Sequence, residues 1–330
     1  MTRSPYVRRG GDLVLCQPIQ NDRVRAFSWF VDADWNALDR LVKRAFTEPS
    51  GGAIEVRPLL PIVAVVCADI AHGQSQVPPD KDMGWARERD MGFWVPVARG
   101  RDEDGHFRIE QIGWYQPYLF VDNAAGVFTG RETYGFAKMP GTCHMPVTAG
   151  ERSRFAVDTL VIEHYSPHTE ARTMELFRLE RSDDGLLGTL ESSFDNLLEA
   201  ALKVQARLLL RAFGPGGPPL PTFELFKNLL EQLTKGLVPM LFLKQFRAVD
   251  DPRYACYQAI VEAACDLNGW HGGGFLDEHV LTIAHADSHP IAQDLGLPPG
   301  PIETGWGFWA EFDFQVMPGR VLWEHEPDRA

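Results

Sequence analysis

The sequence predicts an α+β protein that is predominantly β, and three observations support this fold class. Short segments that are apolar, or that alternate between apolar and polar residues, recur in the first half and the last quarter of the chain. One amphipathic helix is predicted near the start. A leucine-rich stretch with helical spacing separates the two β-rich parts.

The first half begins with a strand and a helix and continues as strands. Residues 24–33 are mostly hydrophobic and predict a strand, after which Asp34 can cap a helix over residues 35–46. The β-branched run at residues 59–70 is typical of a buried strand. Turn dipeptides separate further strands, which are predicted at residues 93–98, 112–121, 126–129, 155–165 and 174–181.

The composition changes near residue 188. Ser192 or Ser193 can cap a helix that runs to residue 211, and a Gly- and Pro-rich link follows at residues 214–219. Thr222 can begin a second helix, and the pair predicts an αα-hairpin. The leucines of this second helix recur every four residues, at Leu225, Leu229, Leu233 and Leu237. Strands are predicted again from residue 241, at residues 242–248, 254–262, 280–285 and 308–317.

Charge and composition exclude several classes of function. The 330 residues carry a net charge of −13, which disfavours a nucleic-acid partner and an anionic membrane surface. The five cysteines are scattered and form no metal-binding or disulfide pattern. No apolar signal segment is visible near Met1, and no apolar run is long enough to span a bilayer. We therefore expect a cytoplasmic protein with a single domain over residues 1–330.

Lys138 is the residue with the clearest potential for chemistry. It lies in the run 130–140 and is flanked by Phe136, Ala137 and Met139. An apolar pocket disfavours the ammonium form of lysine, so we expect the pKa of Lys138 to lie well below the ordinary value of about 10.4. A neutral amine can condense with a ketone or aldehyde to form a Schiff base. A solvated surface lysine is the alternative, and it is the commoner outcome for lysines in general.

The segment from Asp122 to Pro140 resembles the signature of the acetoacetate decarboxylase family. That signature has an Asp-Asn pair at the end of a strand, then Gly-Arg-Glu, then an aromatic residue followed by Pro-Lys-Lys. The corresponding residues here are Asp122-Asn123, Gly130-Arg131-Glu132 and Phe136-Ala137-Lys138-Met139. The resemblance implies that Lys138 forms the Schiff base and that the fold is a closed β-barrel or cone with peripheral helices. It also implies a homo-oligomer, with the αα-hairpin at about 188–240 as an insertion.

The sequence departs from the family pattern beside the lysine. Met139 replaces the second lysine, and Ala137 replaces the proline. Without a neighbouring cation, only desolvation remains to make Lys138 neutral near pH 7. Met139 would add to that desolvation and border the substrate.

The resemblance also implies substrate-binding and acidic residues. Arg25, or alternatively Arg23, corresponds to an arginine that serves the substrate. Glu88 or Asp90 corresponds to one acidic residue upstream of the lysine, whereas the segment that matches the other, residues 65–67, holds no acid. Tyr134 and Phe136 are predicted to line the pocket, and packing in an ordinary core is the alternative for both.

These residues predict a lyase for a small keto acid, which needs no cofactor. Decarboxylation of an acetoacetate-like β-keto acid through Lys138 is the first hypothesis. Aldolase or dehydratase chemistry on an α-keto acid, and a barrel that binds a small ligand without turnover, are the alternatives. A metal site is not expected, because neither His285 with His289 nor the cluster around His164 supplies three ligands from one helical face.

Overall fold

The computed structural model describes residues 4–11, 13–146, 154–181, 237–305 and 307–325. The predicted helical insertion at about 188–240 lies outside these residues except at its end, where Leu237 begins a strand. Strands dominate the described residues, as the sequence predicts. They are β1 (Ile19–Asp32), β2 (Glu55–Pro58), β3 (Ile62–Ser75), β4 (Ala86–Glu103), β5 (His106–Val121), β6 (Lys138–Pro140), β7 (Thr142–His144), β8 (Arg154–Val161), β9 (Arg172–Arg181), β10 (Leu237–Arg247), β11 (Ala255–Leu276), β12 (His279–Ile283), β13 (Ile302–Glu303), β14 (Gly307–Val316) and β15 (Arg320–Glu324).

Three helices accompany the strands in the described part of the chain: α1 (Trp35–Val42), α2 (Ala124–Thr129) and α3 (Ile291–Leu295). Asp34 caps α1 as predicted, since its Oδ1 accepts a hydrogen bond from the Ala37 amide at 2.8 Å. The predicted extension of α1 to residue 46 is instead a wider π-type turn at Lys43–Thr47. None of the described helices has the length and apolar character needed to span a membrane.

The prediction of a strand at residues 126–129 was wrong. These residues belong to α2, because Asn123 caps the helix and its Oδ1 accepts a hydrogen bond from the Gly126 amide at 2.6 Å. The apolar run Val127-Phe128 is too short for its periodicity to distinguish a helix from a strand.

The larger sheet closes into a ring. Each strand pairs with the next in the order β4, β3, β1, β14, β11, β10 and β5, and β5 pairs with β4 again. Six of these contacts are antiparallel, and the contact between β10 and β5 is parallel. Closure gives the ring an inner and an outer face.

The second sheet covers part of the outer face. Its strands are ordered β13, β12, β9, β8 and β7, and it packs against the ring through aromatic contacts. The ring centroids of Phe27 and Phe155 lie 5.0 Å apart, as do those of Phe93 and Phe177. Odd-numbered residues of the central part of β1 therefore pack into this core, and the even-numbered residues Val24 and Ala26 line an internal cavity.

Candidate active site

Lys138 begins β6, which returns beside the strand that precedes it in sequence. The chain leaves β5 at Val121, forms α2 and a π-type turn, and then runs parallel to β5 with Lys138 opposite Leu119. Gly135 makes this return possible because it adopts a φ of 95°, and a Cβ there would lie 2.6 Å from the Lys244 Cα. The matched segment Asp122–Pro140 is thus one compact unit that aims Lys138 into the ring.

The Lys138 ammonium is paired with Glu88 on β4. Its Nζ lies 2.6 Å from the Glu88 Oε1, and the side chains are only 12% and 14% exposed. The centroid of the Phe136 ring lies 5.3 Å from the Lys138 Nζ. The lysine is therefore enclosed, and its proton has a direct acceptor in Glu88.

The Asp-Asn pair at the end of β5 fixes the backbone on both sides of Glu88. The Asp122 Oδ1 accepts a hydrogen bond from the Arg89 amide at 2.8 Å. The Asn123 Nδ2 donates to the Arg87 carbonyl at 2.7 Å while its Oδ1 caps α2. The same two residues therefore position both Glu88 and the helix that leads to Lys138.

Two glycines leave room for the Lys138–Glu88 pair. A Cβ at Gly130 would lie 2.6 Å from the Lys138 Cδ, and a Cβ at Gly126 would overlap the Glu88 carboxylate. A side chain at either position would displace one partner of the ion pair. Gly130 is part of the matched signature, whereas no sequence pattern singles out Gly126.

Asp90 lies two residues after Glu88 on the same face of β4, and its pKa is raised. Desolvation is the largest cause that raises the pKa of Asp90 from 3.8 to about 7, and the Glu88 charge adds to it. The Lys138 charge acts in the opposite direction without cancelling the effect. Near neutral pH, Asp90 can therefore carry a proton beside an ionised Glu88.

These groups face a cavity of about 120 Å³. Among the described residues that line it, Lys138 is the only cation, and Glu88 and Asp90 are the only acids. The Trp94 indole N–H and the Gln116 Oε1 are buried there without a hydrogen-bond partner, while the Gln116 Nε2 contacts the Met240 sulfur at 3.3 Å. The Trp94 N–H can donate to a carbonyl or carboxylate oxygen of a ligand, whereas the Gln116 Oε1 can accept from a ligand hydroxyl. The sequence did not single out Trp94 or Gln116, because both lie inside strands that resemble ordinary core strands.

Comparison with solved structures identifies the fold. The acetoacetate decarboxylase of Legionella pneumophila subsp. pneumophila str. Philadelphia 1 matches with a TM-score of 0.58 at 13% identity, covering 98% of this chain and 93% of that chain. The chain has the acetoacetate decarboxylase-like fold. No protein-family model matches the sequence, and no curated protein sequence matches it significantly.

Two further enzymes share the acetoacetate decarboxylase-like fold with this chain. The enduracididine biosynthesis enzyme MppR matches with a TM-score of 0.51 at 16% identity, covering 95% of this chain and 90% of that chain. An acetoacetate decarboxylase-like enzyme from Sphingomonas wittichii RW1 matches with a TM-score of 0.50 at 10% identity and covers 94% of each chain. The fold expected from the signature is therefore confirmed over nearly the whole chain.

Within this fold, the other predicted site residues occupy different places. Tyr134 and Phe136 line the cavity, and the Tyr134 hydroxyl donates to the Val316 carbonyl at 3.3 Å. Met139 does not line the cavity, because it packs against the main hydrophobic core. The Arg131 Nη1 donates to the Lys138 carbonyl at 3.1 Å, so this arginine supports the backbone of the lysine.

Arg25 is not among the described residues that line the cavity. Its guanidinium lies 3.5 Å from Asp69, which also pairs with Arg87 and Arg89. Arg25 alternates along β1 with Val24 and Ala26, which line a cavity inside the ring, so the Arg25 side chain points to the outer face of the ring. The alternative, Arg23, lies at a bulge, where its amide donates to Asp313.

The structure brings together two of the histidine-containing segments. His164, His285 and Asp287 place their ligand atoms within 4.8 Å of one another, although the sequence segments alone supply no such set. Both histidines are exposed, and none of the three residues lines the Lys138 cavity. This cluster is therefore separate from the candidate active site.

Proposed function

We propose that the protein is a carbon–carbon lyase that forms a Schiff base through Lys138 and decarboxylates a β-keto acid. The enclosed Lys138–Glu88 pair, with Asp90 in the same cavity, is the observation that carries this proposal. One amine, one ionised carboxylate and one carboxyl group that titrates near neutrality supply the nucleophile, the base and the acid that the reaction needs.

The first step makes the iminium. Glu88 takes a proton from the Lys138 ammonium, and the free amine adds to the keto carbon of the substrate to give a carbinolamine. The oxygen of the former carbonyl group leaves as water, with one hydrogen from the amine and one proton returned by Glu88. The Trp94 N–H lines the same cavity and can donate to a substrate oxygen during this step, and the Gln116 Oε1 can accept from the carbinolamine hydroxyl.

The second step breaks the carbon–carbon bond. The bond between the α-carbon and the carboxylate breaks, its electron pair forms the enamine double bond, and the iminium π pair moves to nitrogen as carbon dioxide leaves. Protonated Asp90 then donates to the enamine carbon, and water hydrolyses the resulting iminium to release the ketone and Lys138. The low polarity of the cavity favours loss of the carboxylate charge.

Aldolase or dehydratase chemistry on an α-keto acid is the second candidate. An MppR structure with a TM-score of 0.50 is a complex with the condensation product of pyruvate and imidazole 4-carboxaldehyde. In this reaction the same type of iminium would lose a proton from the carbon next to the iminium carbon rather than carbon dioxide, and the resulting enamine would attack an aldehyde.

Product analysis separates the candidates. The protein is incubated with acetoacetate or pyruvate, and carbon dioxide release is followed. The covalent species is then reduced with borohydride, and its mass is measured by mass spectrometry of the intact protein. A β-keto acid decarboxylase releases carbon dioxide from acetoacetate, and its adduct has lost the carboxyl group. An adduct with pyruvate alone supports the aldolase, whereas no adduct with either compound favours a ligand-binding protein without turnover.

A further inference from the structure

A second cavity of about 310 Å³ lies inside the ring beside the Lys138 cavity. All seven ring strands contribute side chains to its wall. Its wall meets that of the first cavity at residues that line both, namely Ile70, Asp90, Trp94, Cys265 and Phe314. Asp90, the candidate acid of the active site, therefore also lines the second, larger cavity.

The lining of the second cavity is almost entirely apolar. Aromatic rings form much of the wall, including those of Phe30, Trp114, Phe308 and Phe312. Burial raises the pKa of the Cys265 thiol to about 12, so this group stays neutral in the physiological range. No lysine, arginine or histidine lines the cavity among the described residues, and Asp90 is the only acid there. Such a wall suits a hydrocarbon or aryl group.

Small side chains in register create this space. On neighbouring strands, Ala68 of β3 lies opposite Ala26 of β1, which lies opposite Ala310 of β14. Ala68 also lies opposite Asp90 of β4, so the row of alanines begins at the active site. All four residues line the second cavity. A larger residue at any alanine of this row would fill the space that now adjoins Asp90.

We propose that the second cavity binds a bulky apolar acyl group of the keto acid, so that the substrate is an apolar 3-oxo acid rather than acetoacetate. This inference rests on the proposed function, because the keto carbon must lie at Lys138. A cavity of about 150 Å³ is known to hold benzene, so this one can hold an apolar group of about ten carbons. Polar acyl groups would lose hydration without gaining partners.

The test compares three substrates of increasing apolar size: acetoacetate, 3-oxo-3-phenylpropanoate and 3-oxodecanoate. Trapping with borohydride, followed by mass spectrometry, gives the concentration of each that half-saturates adduct formation. We expect the two apolar acids to half-saturate at concentrations at least about ten-fold lower than acetoacetate, because hydrophobic pockets discriminate by about this factor for even one methylene. Equal values for the three acids would overturn the inference.

Variants in the alanine row test whether the apolar acyl group binds in the second cavity. Ala68→Leu and Ala310→Leu each fill part of the second cavity, and Ala255→Leu is the control at a partly exposed position of β11 that lines neither cavity. The first two should lower the preference for 3-oxodecanoate over acetoacetate by at least about ten-fold, whereas the control should keep it. An unchanged preference in well-folded Ala68→Leu and Ala310→Leu proteins would contradict the assigned cavity.

A binding measurement separates this inference from the proposed function. If no acid forms an adduct, the Schiff-base proposal fails, and binding of 3-oxodecanoate is measured through the fluorescence of the cavity tryptophans Trp94, Trp114 and Trp270. Saturable quenching that Ala310→Leu weakens would retain the apolar site in a non-covalent binding protein. No quenching by 3-oxodecanoate would reject the apolar site as well.

Discussion

At the scale of single residues, the two acidic side chains of β4 near Lys138, Glu88 and Asp90, have different surroundings. Glu88 contacts Lys138 directly at 2.6 Å, whereas burial raises the pKa of Asp90 to about 7. The difference allows one to act as a base and the other as an acid near neutral pH, although their side chains are two residues apart.

The acid role of Asp90 predicts a pH dependence. Product formation should fall as the pH rises through about 7, because the proton on Asp90 is then lost. Asp90→Asn should lower kcat by about 10² or more and remove this limb of the profile. Steady-state rates between pH 5 and 9 provide the measurement, and a descending limb near pH 7 in the Asn variant would contradict the assignment.

The same pKa predicts an effect on stability. The folded protein holds the Asp90 proton up to about pH 7, whereas the unfolded chain loses it near pH 3.8. The contribution of the Asp90 proton to stability is full below 3.8, the pKa of Asp90 in the unfolded chain. It is lost as the pH rises through about 7, the pKa of Asp90 in the folded protein. Asp90→Asn should therefore unfold at a higher urea concentration than the wild type at pH 8, with a smaller difference at pH 5. If Asp90→Asn is less stable than the wild type at pH 8, the ionised Asp90 does not destabilise the folded protein as expected.

The sequence predicted Lys138 and left Glu88 or Asp90 open as the acidic residue beside it. Lys138 follows the motif position, and the structure places Glu88 in contact with it. The Met139 side chain and the Arg25 guanidinium lie away from the cavity, because strand alternation decides direction and the motif does not. Trp94 and Gln116 became visible only when the ring brought β4 and β5 around the lysine.

At the scale of elements, the turn from β5 through α2 to β6 builds the site. Gly130 contacts the aliphatic part of Lys138, and Asn123 joins the start of α2 to the backbone before Glu88. The Asp-Asn and Gly-Arg-Glu parts of the signature therefore position a lysine that lies several residues later.

Gly130→Ala tests this positioning. The added methyl group would lie 2.6 Å from the Lys138 Cδ, so the amine must move. A displacement of about 1 Å can cost about 10² in rate, and we expect a loss of this size in adduct formation. Gly10→Ala is the control, since a Cβ there meets nothing within 4 Å. Equal adduct rates in both variants would show that the contact is unimportant.

Asn123→Ala tests whether Asn123 positions the Lys138 site in addition to capping α2. The variant loses an N-cap, which should lower the free energy of unfolding by about 1 kcal/mol, and it loses the contact with the Arg87 carbonyl. Asp34→Ala removes the cap of α1 with a similar stability cost. Only the Asn123 variant should slow adduct formation. Equal slowing in both would indicate a general effect of lower stability.

At the scale of the whole molecule, the ring gives the lysine its surroundings. The strands of the ring were largely predictable, because alternation and β-branched runs are local features. The closure was implied only by the resemblance, since the parallel contact of β10 with β5 joins residues that are more than a hundred positions apart. The large apolar cavity depends on that closure and on a register of alanines that no local pattern reveals. The predicted homo-oligomer and the helical insertion at about 188–240 stay predictions.

Locating the reduced adduct on the chain shows whether Lys138 is the nucleophile. Lys244 is the internal comparison, because burial lowers its pKa and it lines neither cavity. After borohydride reduction with a keto acid, peptide mass spectrometry should place the adduct on Lys138. Lys138→Ala should abolish it, and Lys244→Ala should leave it unchanged. An adduct on Lys244, or one that survives Lys138→Ala, would contradict the account.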